Sequence, residues 1–273
     1  MMDKVVPYWR TAVSEVSSAD VFIRGYSLGD LIGELPFSAA CYLLIRGHLP
    51  SPGQTRMMEA VLCSVLDYSL RKPGTIAARY AVSGNPSMVA GIATAVLAVG
   101  EYTLAPDEAG RFIIDSLAET DAEKPLQESA SRLVALLREQ RRRIPGFGHP
   151  NFKFLDPRAQ KLKEIARSQG VWGKAGAWYE AIHAAYTTAV NKPEMVINEV
   201  GMMAAILVDM GFTPPEMTGI ALISSLPGVV AHISEELQSK VRIRVVPEET
   251  VEQPSVRRVL HADLERAGWK PSR

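Results

Sequence analysis

Apolar residues recur at three- and four-residue spacing through 28–44, 55–70, 87–102, 107–117, 127–138, 159–168, 175–190, 196–210 and 215–224. Only an α-helix turns that period into one continuous buried face, so the pattern predicts an all-α fold. Period-two stretches are confined to 21–26 and 240–245, enough for one or two short β-hairpins and not for a sheet. The punctuation agrees: Pro106 before Asp107-Glu108 and Pro214-Pro215 open helices, and Gly211 and Gly268 close them. Two helices, 87–99 and 200–208, are apolar on nearly every face and rich in Gly and Ala. Such helices run through a domain centre or line a subunit interface, and the first is expected at a dimer contact. Residues 254–273 read as a loose tail.

At 273 residues and 47% hydrophobic content, the chain can bury a core without disulfides or structural metal. The length suggests one large domain with a smaller satellite. Thirty Lys plus Arg balance thirty Asp plus Glu, which argues against broad attraction to nucleic acid or anionic lipid. Cys41 and Cys63 lie in apolar helical patterns, so both read as buried free thiols in a reducing, cytoplasmic setting. Met1-Met2-Asp3-Lys4 lacks the basic and apolar regions of an export signal, and the longest apolar runs are too short to span a bilayer. Neither a membrane nor nucleic acid is an expected partner. No Cys/His spacing suggests zinc, and no glycine-lysine loop suggests a nucleoside triphosphate.

The densest chemistry lies in Arg141-Arg142-Arg143-Ile144-Pro145-Gly146-Phe147-Gly148-His149-Pro150, followed by Asp156-Pro157-Arg158-Ala159. Two glycines bracket an aromatic and set His149 on a turn, where its imidazole and nearby N–H groups can face a ligand. The bland alternative is a plain loop histidine. Asp156-Pro157-Arg158 equally reads as a helix opening, with Asp at the N-cap and Pro at the first position. The run Arg138, Arg141, Arg142 and Arg143 fits either a phosphate contact or a solvated helix C-terminus.

Pro-Gly-Phe-Gly-His followed by Asp-Pro-Arg-Ala resembles the signature of the citrate synthase superfamily, and the short chain resembles its citryl-CoA lyase branch. Ile23-Arg24-Gly25-Tyr26, the segment 37–50 and Gly228-Val229-Val230-Ala231-His232 with Glu235 agree in the same order. The resemblance implies a citrate synthase-like fold with a large helical domain, about 1–150 and 212–273, and a small one, about 151–211. It also implies a homodimer and chemistry at the carbon–carbon bond between an acyl-CoA and a keto acid. The expected partners are a small acyl-CoA or carboxylic acid. Coenzyme A enters as a thioester substrate, with no permanently bound cofactor.

Residue by residue, the resemblance assigns His149 as the acid that contacts the keto-acid carbonyl and Arg158 as a carboxylate clamp. It assigns the turn Gly146-Phe147-Gly148, with Arg143 before it, to CoA. Arg244 matches an arginine that crosses the dimer interface. Other positions depart from the family pattern. The aspartate that takes the α-proton falls on Val200, one residue after Glu199; a nearby histidine falls on Tyr68; another falls near Thr103. The second carboxylate-binding arginine falls on Ser225, which implies a ligand with one carboxylate fewer than citrate. Two arrangements remain open. Either Glu199 supplies the missing carboxylate, with Tyr68 or Tyr102 as proton donor, or Glu199 points elsewhere and the protein is a repurposed or non-catalytic relative that binds a CoA ester or small acid. Neighbouring helix positions lie about 100° apart, so the first would need unwinding at the helix start. His232, on an apolar helix, reads as a satisfied core histidine.

Overall fold

A computed structural model describes residues 8–100, 102–121 and 123–269; the N-terminal reading of Met1 to Lys4 and the end of the tail lie outside them. Three short antiparallel strands, β1 (Ser14–Val16), β2 (Val21–Ile23) and β3 (Tyr26–Ser27), precede α1 (Leu28–Glu34), α2 (Phe37–Arg46) and α3 (Pro52–Ser64). Then come α4 (Pro73–Gly84), α5 (Met88–Leu97), α6 (Pro106–Ala118), α7 (Leu126–Glu139), α8 (Pro157–Ser168) and α9 (Lys174–Val190). The last are α10 (Glu199–Asp209), α11 (Pro214–Ser239) and α12 (Leu260–Arg266). The fold is all-α, as the periodicity predicts.

Local chemistry explains the boundaries. Arg24 and Gly25 both take positive φ, 49° and 88°, as a two-residue hairpin turn requires. The Arg24 guanidinium then donates to the Leu44 carbonyl at 3.0 and 2.7 Å, satisfying an orphan acceptor in the last turn of α2. Ser51 and Gln54 form a reciprocal capping box on α3.

Four sequence expectations need correction. The periodic reading missed α4, because its buried face is Gly74, Thr75, Ala78, Val82 and Ser83, too small and polar to mark an apolar stripe. It also stopped α11 near Ser224, whereas the helix runs through Pro227 to Ser239, held by packing against α3, α4, α5 and α6 that outweighs the lost ladder bond. Residues 240–245 form no strand; instead Ile243 and Arg244 N–H groups bond the Ser83 carbonyl and hydroxyl at the end of α4. Cys63 is exposed, not buried, since α3 turns Met57, Met58 and Val61 inward and leaves Cys63 on the far face.

The main core centres on α10, whose residues from Gly201 to Leu207 are all buried, with α6, α8 and α9 packed around it. This is the central position that its all-round apolar sequence predicts. The helices within 151–211 share this core with α2, α3, α6 and α7. A second cluster joins Ala78, Val82, Ala95, Val229 and Ile233, from α4, α5 and α11. The other all-apolar helix, α5, buries Gly91 and Ala95 but leaves Val89 76% and Leu97 86% exposed. Among the described residues α11 alone is long and apolar enough to cross a bilayer, and it buries Met217, Ile220, Ala221, Val229 and Ile233 against protein.

Candidate active site

The glycine turn, the start of α8 and the start of α10 meet at one point. Gly146 has φ 80°, and a Cβ there would lie 2.6 Å from the Gly201 Cα, so only glycine permits this approach of turn to helix. The Gly146 carbonyl accepts from the Asn198 N–H at 2.9 Å, and the Gly148 N–H donates to the Val196 carbonyl at 2.7 Å. Asn198 caps α10 by accepting from the Gly201 N–H at 2.9 Å, while its amide donates to the Gly148 carbonyl at 3.0 Å. Phe147 packs its ring against Tyr179, His183 and Tyr186. The turn is thereby fixed, and His149 emerges from it in a set orientation.

The N–H groups of Asn151 and Phe152 both donate to His149 Nδ1, each at 3.1 Å. A nitrogen that accepts cannot carry the proton, so the neutral ring holds it on Nε2. Burial, then the neighbouring Arg158 charge, holds the His149 pKa below the usual histidine value, which keeps the ring neutral near pH 7. Its Nε2–H lies 3.2 Å from Arg158 Nη2, two donors with no acceptor between them.

Asp156 caps α8 as its sequence predicts, accepting from the Arg158 N–H at 3.0 Å, and also accepts from the Glu199 N–H at 3.2 Å. One buried carboxylate therefore ties two helix starts together. It also grips Arg158 from both oxygens, with Nε at 3.1 Å and Nη2 at 2.9 Å. Arg158 Nη2 reaches Glu199 Oε2 at 2.8 Å as well. His149, Asp156 and Glu199 bring three potential metal-ligand atoms within 4.8 Å of one another. Arg158 Nη2 stands among them and pairs with the two carboxyls, so the cation that Asp156 and Glu199 hold is the guanidinium.

The two carboxyls titrate apart. Burial pushes Glu199 up to about 7 despite Arg158, and a proton shared with Asp156 adds to the rise. Burial acts on Asp156 too, but the Arg158 hydrogen bonds and charge outweigh it and hold that carboxyl below its usual range. Asp156 is the anion of the pair and Glu199 the proton carrier.

Tyr68, Lys72, Tyr102, Thr103, Arg158 and Glu199 line a cavity of about 400 Å3, with Val200 also on its wall. Glu199 and Val200 both face it because they occupy the first turn of α10, and the cavity lies off the helix end; no unwinding is present. His149 stands one layer back, in contact with Arg158 and edge-on to Tyr68 at 6.1 Å. Tyr68 accepts from Asn151 Nδ2 at 2.8 Å, which leaves its own O–H free to donate, and Arg71 holds Asn151 in turn at 3.2 Å. The Arg158 guanidinium lies over the Tyr68 and Phe152 rings at 5.5 and 5.1 Å.

Of the residues singled out by sequence, the cavity region thus gathers His149, Arg158, Glu199 and Tyr68, with Gly146 to Gly148 as their scaffold. Three lie elsewhere in this chain. Ser225 is buried on α11 and donates to the Leu222 carbonyl. Arg244 is bound to the buried Glu236, which Arg79 also holds. Arg143 lines a separate hollow with Glu108, Arg111 and Asp115. His232 is satisfied at Nε2, as its sequence reading expects, but by Asp67 at 3.1 Å beside the cavity and from a partly exposed position outside the core. Sequence reasoning missed the ion-pair role of Asp156, which its capping role already explained, and it missed Asn151 and Lys72, whose segments carry no signal of their own.

The family model for the citrate synthase C-terminal domain matches residues 50–245. Citryl-CoA lyase from Hydrogenobacter thermophilus is 35% identical, with 95% of this chain and 100% of that one covered and a TM-score of 0.86. ATP citrate lyase from Methanothrix soehngenii, solved with citrate and coenzyme A, shares the fold at 17% identity and a TM-score of 0.81, covering 93% of this chain and 43% of that one. Citrate synthase 2 of Bacillus subtilis (strain 168) is 25% identical over 201 residues, 73% of this chain. The chain spans about half, 52%, of that curated relative. With the Gly-His turn, the Asp-Pro-Arg helix start and the α10 cap meeting at one point beside the cavity, the chain belongs to the citrate synthase family and is similar to its citryl-CoA lyases.

Proposed function

We propose that the protein makes or breaks the carbon–carbon bond between the α-carbon of an acyl-CoA thioester and a keto acid, as in citryl-CoA cleavage. The observation that carries this reading is the meeting of Arg158, Glu199 and Tyr68 at one cavity, with His149 directly behind, in a chain this similar to a citryl-CoA lyase. A substrate carboxylate competes with Asp156 and Glu199 for Arg158, drawing the guanidinium off His149. The Nε2–H then bonds the keto or alkoxide oxygen, whose negative charge it and the Tyr68 O–H stabilise. One proton must pass between the thioester α-carbon and the hydroxyl oxygen. Glu199, titrating near 7, takes the place of the family's aspartate in carrying it, and Tyr68 completes the relay.

The CoA thioester is a substrate and not a resident cofactor, with its pantetheine and phosphates assigned to the outer side of the turn Gly146-Phe147-Gly148 and to the exposed Arg143. The uncovered apolar face of α5, with Val89 and Leu97, supports a homodimer contact. Calorimetric titration with CoA and acetyl-CoA, each with and without oxaloacetate, tests the pocket. Thioester affinity is expected to rise at least several-fold when the keto acid is present. An absence of heat from any of the four titrations contradicts the reading and favours a repurposed relative, for which Val200 at the aspartate position is the motivating observation.

A further inference from the structure

We infer that Lys72 is the second anion anchor of the cavity, so that the acid bound there carries a further carboxylate besides the one held by Arg158. The inference rests on the proposed role of Arg158 and extends it to a second element lining the same cavity. Lys72 caps the N-terminal end of α4 through its backbone, and its side chain makes no hydrogen bond or ion pair with any described residue. It is nevertheless half-buried in the cavity wall.

A half-buried ammonium with no hydrogen-bonded acceptor is costly, and each nearby carboxyl already has another hydrogen-bonded partner. Asp67, which faces Lys72 electrostatically, accepts from the Ser69 N–H at 2.9 Å and pairs with His232 at 3.1 Å. Glu199 and Asp156 are bound to Arg158. The remaining lining adds positive potential: Arg71 is one residue away, and the N-terminus of the twelve-residue helix α4 opens beside Pro73 on the same wall. Two cations thus face one cavity from different elements, α4 and α8, which is the geometry of a two-point clamp on a dianion.

This replaces the expectation raised by Ser225. That serine lies in the core of α11, where its hydroxyl is already bonded to the Leu222 carbonyl. The anion-binding capacity that the family places at that position is present here on α4 instead, so losing the arginine does not imply losing a carboxylate. Nothing in the segment 67–73 signals this, because the position becomes part of the site only once α4 packs against α5 and α11.

The test compares binding of oxaloacetate and pyruvate, which differ by one carboxylate, to the parent chain and to Lys72→Met, Lys72→Arg and Arg158→Met. The parent is expected to prefer oxaloacetate. Lys72→Met is expected to weaken oxaloacetate binding about 10- to 100-fold while leaving pyruvate binding within about two-fold, the loss due to one charged hydrogen bond. Lys72→Arg is expected to keep most of the preference, and Arg158→Met to lose both acids. A Lys72→Met protein that keeps the parental preference, or weakens both acids equally while melting normally, overturns the inference and leaves the Arg158 reading standing. A parent chain that binds neither acid overturns both.

Discussion

His149→Ala is expected to fold as the parent does and to lose citryl-CoA turnover by about 10²- to 10³-fold, the usual effect of removing one preorganised donor to a developing oxyanion. The expectation follows from the tautomer. Because two backbone N–H groups converge on Nδ1, the proton on Nε2 is positioned before any ligand arrives, and the low pKa keeps the ring a neutral donor. Alanine removes that donor and the 4.6 Å stack on Phe152. The freed N–H groups of Asn151 and Phe152 lie on a partly exposed loop where water replaces the ring, so the stability cost is about 1 kcal/mol. His149→Asn, which keeps a short polar side chain, separates loss of packing from loss of the donor. Steady-state rates alongside circular dichroism check the prediction, and parental turnover in a folded alanine variant would remove His149 from the mechanism.

Glu199→Gln is expected to cost more, about 10²- to 10⁴-fold, because it abolishes proton transfer while keeping shape and the contact to Arg158. The pH profile carries the sharper signature. With Glu199 titrating at about 7 and carrying one proton between the same two atoms in either direction, bond formation and cleavage both need the ionised carboxyl, and both rates rise through that pH. That rise should vanish in the glutamine variant. Stability follows the same titration with a defined sign. The folded-state value of about 7 lies above the ordinary 4.5, so the native state binds the proton more tightly than the unfolded chain between those pH values. The parent should therefore lose stability relative to Glu199→Gln as pH rises through that window, by ~3 kcal/mol, and the difference should be constant above it. Paired denaturant titrations at pH 5 and pH 8 measure this; an unchanged difference would mean that Glu199 is not raised.

These effects concentrate where local sequence signals stopped being sufficient. Helices α6 to α9 follow from period, proline starts and N-caps because each signal is contained within a dozen residues. Helix α4 does not, since Gly74, Thr75 and Ala78 are buried by close approach to α5 and not by an apolar stripe. The Gly-His turn and Asp156-Pro157-Arg158 stand out in sequence because chain geometry and chemistry require the same residues there. The position of Glu199 could not be decided from helical angles alone: those angles apply along a helix shaft, and the cavity lies off the tip, where the first two residues share it. Arg244 and Ser225 do not line this chain's own cavity: Arg244, matched to an arginine that crosses the dimer interface, is bound to Glu236, and Ser225 donates to the Leu222 carbonyl of α11.

Incubating the protein with citryl-CoA and quantifying products tests the central claim most directly. Release of oxaloacetate and acetyl-CoA in equal amounts, abolished together in His149→Ala and Glu199→Gln, is the result predicted for carbon–carbon cleavage at this cluster. Intact citryl-CoA, or free citrate with CoA from hydrolysis of the thioester, would contradict it.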